Sequence, residues 1–142
     1  MSELRTKWLL LMAAAWNILG AGSALFDPAR HFAQLYTASL SLVDPMQLFF
    51  YRCTWINVMA WGAAYAIAAM LPGSRTAVLA AGAVGKLAYF AACVALFLSG
   101  TGKGILLAAG VVDLLLALLF AAALMWRHQA VPSVPRATSR AI

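Results

Sequence analysis

Residues 77–126 read AVLAAGAVGKLAYFAACVALFLSGTGKGILLAAGVVDLLLALLFAAALMW, and this stretch decides the fold. Two apolar runs, 77–99 and 105–126, flank the turn Gly100-Thr101-Gly102-Lys103-Gly104. Each run is close to the roughly 20 residues that a helix needs to cross a bilayer core. Each also holds one full charge near its middle, Lys86 in the first and Asp113 in the second. A charge at the centre of a spanning helix costs about 2.5–3.5 kcal/mol, so two unpaired charges would cost about twice that. Opposite signs on neighbouring helices remove most of the penalty, and the sequence therefore predicts that Lys86 meets Asp113.

Working outward, two more spans precede this pair. Residues 8–26 form an apolar run ended by Asp27-Pro28, and residues 49–71 form another, ended by Pro72-Gly73-Ser74-Arg75. The first is longer than the apolar core of a signal peptide, despite Arg5 and Lys7 before it, and is read as a span. Composition agrees: of 142 residues, 65% are hydrophobic and 10% charged. Soluble domains average about 25% charged residues. The expected architecture is an all-α integral membrane four-helix bundle forming a single domain, with residues 127–142 as a flexible tail.

The net charge of +6 does not point to nucleic acid, because the basic residues lie at span ends and form no stripe with interleaved aromatics. With a cytoplasmic N-terminus, Arg5, Lys7, Arg75, Arg127, Arg136 and Arg140 fall on the inner side, against Arg30, Arg52 and Lys103 outside. That bias predicts both termini in the cytoplasm of a bacterial inner membrane, with Trp8 and Trp126 at the inner interface.

The connection at residues 27–48 repeats one device, Asp27-Pro28 and Asp44-Pro45, an N-cap acceptor followed by Pro at the first helical position. Between them Phe32, Leu35, Tyr36, Leu40 and Val43 recur at helical spacing, opposite Gln34, Thr37 and Ser41. A short amphipathic interfacial helix over residues 28–42 is expected. His31, with no partner motif, is expected at the surface.

Depth gives the candidate site. At about 1.5 Å per residue, Lys86 lies roughly 14 Å from the inner boundary and Asp113 roughly 20 Å, a gap within reach of a lysine side chain. Asn17 and Asn57 fall near these levels, so Asn17, Asn57, Lys86 and Asp113 form the candidate midplane polar cluster. Small residues sharing their faces, such as Ala13, Gly20, Gly82 and Gly110, suit close helix packing. Around Asn57, the bulkier Trp61 and Tyr65, with Tyr89 on the third span, either fill the bundle or line a pocket.

Catalytic motifs are weak. Cys53 and Cys93 form no CxxC pair and are expected to be buried, inert thiols, although a bridge between them is conceivable. The Gly100–Gly104 turn lacks the spacing of a phosphate loop. No metal or cofactor is implied, because no His, Cys, Asp or Glu cluster has ligand spacing.

Trp16-Asn17, Gly85-Lys86 and Asp113 within GVVDLLLALLF, in this order, resemble small uncharacterised four-helix inner-membrane proteins of bacteria, a family that implies no activity. Tyr51-Arg52-Cys53 followed by Asn57 resembles glutathione-using four-helix membrane enzymes, but the spacing is longer and the flanking acids are missing. Small multidrug exporters carry an acidic residue in the first span, absent from residues 8–26. The expected role is an accessory or assembly protein with a mainly structural polar centre. Its expected partners are the lipid bilayer, other membrane proteins or further copies of itself. Transport or small-molecule binding through Lys86 and Asp113 is the alternative, and a lipid- or thiol-modifying enzyme ranks last.

Overall fold

A computed structural model describes residues 2–41 and 43–129 of the chain. Its described residues form five α-helices: α1 (Glu3–Phe26), α2 (Pro28–Leu35), α3 (Pro45–Met70), α4 (Arg75–Leu98) and α5 (Gly104–Gln129). α1, α3, α4 and α5 are each long and apolar enough to span a membrane. α5 runs on to Gln129, so the first three residues of the expected tail at 127–142 are helical, and residues 130–142 lie outside the described residues.

The helix ends follow from local chemistry. Ser2 caps α1 by accepting from the Arg5 amide. Asp27 serves two helices: its amide donates to the Ser23 carbonyl at the end of α1, and its carboxylate accepts from the Arg30 amide at the start of α2. Asp44 accepts from the Met46 and Gln47 amides, with Pro45 in the first turn of α3. Both Asp-Pro pairs thus act as read from the sequence. A single 3-10 turn, Pro72–Ser74, joins α3 to α4.

The interfacial helix is shorter than the periodicity suggests. α2 stops at Leu35, where Tyr36 adopts an extended conformation. The chain then pairs with the α4–α5 turn: the Thr37 amide donates to the Thr101 carbonyl at 3.0 Å, and the Lys103 amide to the Leu35 carbonyl at 2.8 Å. These bonds satisfy backbone groups that a continued helix would have satisfied internally. Val43 is 93% exposed, so the apolar stripe ends with the helix.

The bundle is two close helical hairpins in space. α1 lies tightly along α3, and α4 along α5. The closeness depends on missing side chains: a Cβ at Gly62 would stand 3.3 Å from the Ala14 carbonyl oxygen, and one at Gly110 would stand 2.8 Å from Cys93 Cβ. The two hairpins are held apart by larger residues, chiefly Leu10, Tyr65, Leu79 and Phe120, all buried. This apolar core fills the end where α1 begins and α5 ends. A second, smaller cluster of Leu35, Cys93 and Leu106 lies under α2 at the other end. Large apolar side chains such as Leu19, Val84 and Leu118 are exposed all round, as contact with lipid requires.

Candidate functional site

Between the two apolar clusters lies a buried polar centre built from three helices. Lys86 on α4 is 5% exposed and forms an ion pair with Asp113 on α5. Its ammonium also donates to Asn17 Oδ1 on α1 at 3.1 Å. The Tyr65 ring of α3 lies beneath it, 5.7 Å from Nζ to the ring centroid. A lysine has three donors. One meets the carboxylate and one the carboxamide, and the ring face adds a cation–π attraction. Asn17 in turn donates from Nδ2 to the Val58 carbonyl on α3 at 3.5 Å. All four spans therefore touch the centre, and it joins the two hairpins where their backbones stand apart.

The environment explains why these groups pair. In a low-dielectric interior an unpaired charge is far more costly than a matched pair, and the pair itself carries no net charge. Gly82 makes room for the aromatic floor: a Cβ there would lie 2.7 Å from the Tyr65 hydroxyl oxygen. Tyr65 also packs edge-on against Phe120 and lies beside Trp61, with centroids 5.4 and 5.8 Å away. The aromatic face of α3 thus fills the bundle at this level. Tyr89 stands apart from it, packed against the Leu35–Cys93–Leu106 cluster.

Asn57 is separated from the other three candidates and is exposed. Gly62, whose Cβ would meet the Ala14 carbonyl oxygen and Asn17 Cβ at 3.3 Å, marks the side of α3 that faces α1, and Asn57, five residues earlier, is rotated by about 140° from it. Cys53 is likewise exposed rather than buried, while Cys93 is buried, and both thiols are free.

Two clusters escaped the sequence reading. At the end where α1 begins, Arg75 is 4% exposed. Its Nε donates to the Ala68 carbonyl at 3.0 Å and its Nη2 to the Ala69 carbonyl at 2.9 Å. These are carbonyls from the last turn of α3, which lack helical partners, and a cation there also suits the helix dipole. The guanidinium completes its fork with an ion pair to Glu3. Its position just after Pro72-Gly73-Ser74 was the available signal.

At the opposite end, His31 is half-buried rather than at the surface. Its Nδ1 hydrogen-bonds the Tyr51 hydroxyl at 2.8 Å, and its ring stands edge-on to Trp55 at 4.6 Å. Burial lowers the His31 pKa from its ordinary 6.5. Burial raises that of Tyr36, with the nearby Cys93 adding to the effect. A cleft of about 240 Å³ opens beside His31, lined by Ser23, Phe26, Asp27, Arg30 and Gln34. A second, apolar groove of about 180 Å³ runs between α4 and α5 along Ala83, Leu87, Leu114 and Leu118. Trp61, Tyr65 and Tyr89 line neither.

Among the described residues, no group of three His, Cys, Asp or Glu side chains could hold a metal. No family model, curated protein or solved structure matches the chain. Its sequence and geometry make it a multi-pass membrane protein with a buried Lys86–Asp113 pair.

Proposed function

We propose that the chain is an inner-membrane accessory or assembly protein, and that Lys86, Asp113 and Asn17 form a clasp locking its two hairpins into one rigid body. The observation that carries this reading is mutual saturation. Lys86 is 5% exposed, and its ammonium is engaged by the carboxylate, the carboxamide and the Tyr65 ring together. A group so enclosed is suited to fixing helix register, a well-attested use of buried polar residues. The basic-residue bias supports a reading with both termini in the cytoplasm. The lipid-facing sides of the rigid body are then free to meet other membrane proteins.

The test replaces the clasp with apolar side chains. Full-length Lys86→Met/Asp113→Leu protein, expressed in its own host, should fold, and it should copurify with the same membrane partners as the wild type. A second reading, transport or small-molecule binding through Lys86 and Asp113, rests on the placement of the same pair at mid-span, where ionisable residues serve ion and proton pathways. It gains if the double variant folds and keeps its partners but loses a cellular phenotype.

A further inference from the structure

The outward side of α3 carries a polar group that the clasp does not use. Asn57 is exposed, and its side chain forms no hydrogen bond among the described residues. It lies level with the ion pair, because the neighbouring Val58 carbonyl accepts from Asn17. At that depth there is hydrocarbon and no water. A carboxamide offers two donors and an acceptor oxygen, all of which lipid leaves unmet.

The surroundings of Asn57 are patterned. Phe50, Cys53, Asn57, Ala60, Ala64 and Ile67 follow one another at alternating steps of three and four residues. This is the 3.5-residue repeat of a coiled-coil seam. Ala64 is half-buried and the rest are exposed, so most of the seam has no cover within the chain.

We propose that this seam docks a second copy of the chain, α3 against α3, with the two Asn57 side chains hydrogen-bonded across a two-fold axis. Copies inserted in one orientation present their seams in parallel, and a symmetric parallel pair sets each seam residue opposite itself. A lysine or aspartate there would repel its twin, whereas a carboxamide is both donor and acceptor and so complements itself. Ala60 and Ala64 let the backbones approach, and the repeat favours a left-handed crossing of about 20°. One asparagine in an otherwise apolar seam also fixes register. None of this depends on the role assigned to Lys86 and Asp113.

Cys53 lies one turn from Asn57 on the same seam and is exposed, whereas Cys93 is buried. The full-length protein, in native membranes and in liposomes at decreasing protein-to-lipid ratio, would be oxidised with copper phenanthroline. A covalent dimer that disappears with Cys53→Ser and persists with Cys93→Ala is expected. Energy transfer between labelled copies should show Asn57→Leu weakening association by roughly three- to twenty-fold, with Asn57→Gln retaining most of it. Asn57 lies outside both buried clusters, so the thermal midpoint of the dispersed monomer should stay put and confirm folding. The proposal fails if Cys53 gives no dimer, or no more than a Leu115→Cys variant on the exposed side of α5. It fails equally if Asn57→Leu leaves association unchanged, or if Cys53 links only to a protein of different mass.

Discussion

Asn17 and Lys86, on different hairpins, are joined by a 3.1 Å hydrogen bond inside the membrane-spanning region. The same carboxamide that accepts from the ammonium donates to the Val58 carbonyl, so one α1 side chain couples α4 to α3. Asp113 adds α5 through its ion pair. Loss of the carboxamide in Asn17→Ala leaves the buried ammonium short of one acceptor, and a hydrogen bond to a charged group contributes about 1.5–3 kcal/mol.

The first prediction concerns the ion pair. Lys86→Met and Asp113→Leu should each destabilise the bundle by about 3–5 kcal/mol, since each strands a buried charge. The double variant should lose less than either single variant. Denaturation in mixed micelles, arranged as a double-mutant cycle, measures the coupling. Strictly additive losses would rule out the contact.

How much of this was legible beforehand depended on the kind of signal. Span positions and both Asp-Pro starts could be read because length and capping are local properties. Lys86 and Asp113 could be paired because depth follows from counting residues along a straight helix. The facing of α3 could not. In lipid both sides of a helix are apolar, so an inward side leaves little mark in the sequence. Depth alone therefore groups Asn57 with the centre, although Gly62 marks the side of α3 that meets α1. The end of α2 was hidden for another reason: Tyr36 leaves the helix to pair with a turn far along the chain.

A second prediction uses two glycines on α4. A Cβ at Gly82 would meet the Tyr65 hydroxyl oxygen and ring carbon at 2.7 and 2.9 Å, while nothing lies within 4 Å of one at Gly85. Gly82→Ala should cost about 1–3 kcal/mol by overpacking. Gly85→Ala should be neutral or slightly stabilising, because alanine is the better helix former. Equal effects on the thermal midpoint would contradict the Tyr65 placement.

The Arg75 cap makes a third. Arg75→Ala removes donors from the Ala68 and Ala69 carbonyls and should destabilise by about 1–3 kcal/mol. Glu3→Gln should cost about 1 kcal/mol or less, since the Glu3 side chain is 69% exposed and water screens the pair. Arg75→Lys should rescue little, because one ammonium cannot reproduce the planar fork. A larger loss for Glu3→Gln than for Arg75→Ala would reverse this ranking.

Sidedness supplies the fourth. Six basic residues are assigned to the side of the termini and three to the side of α2. A reporter fused after residue 142 should be active in the cytoplasm, and one inserted at Lys103 should be active on the far side. A far-side signal from the C-terminal fusion would invert the assignment.

His31 provides the last. Its pKa is lowered in the folded chain by burial, so the unfolded chain takes up the proton first as pH falls. The unfolded state then binds more protons, and stability rises with pH across that window. The contribution is complete above the ordinary value of 6.5 and is lost as pH falls through the lower folded value. The hydrogen bond to Tyr51 need not break, because the imidazole Nδ1 can donate once protonated and the phenol oxygen can accept. The penalty therefore comes from desolvating the charge. Thermal midpoints measured between about pH 7.5 and pH 5 should fall for the wild type and fall less for His31→Gln. An identical slope in the variant would remove His31 as the titrating group.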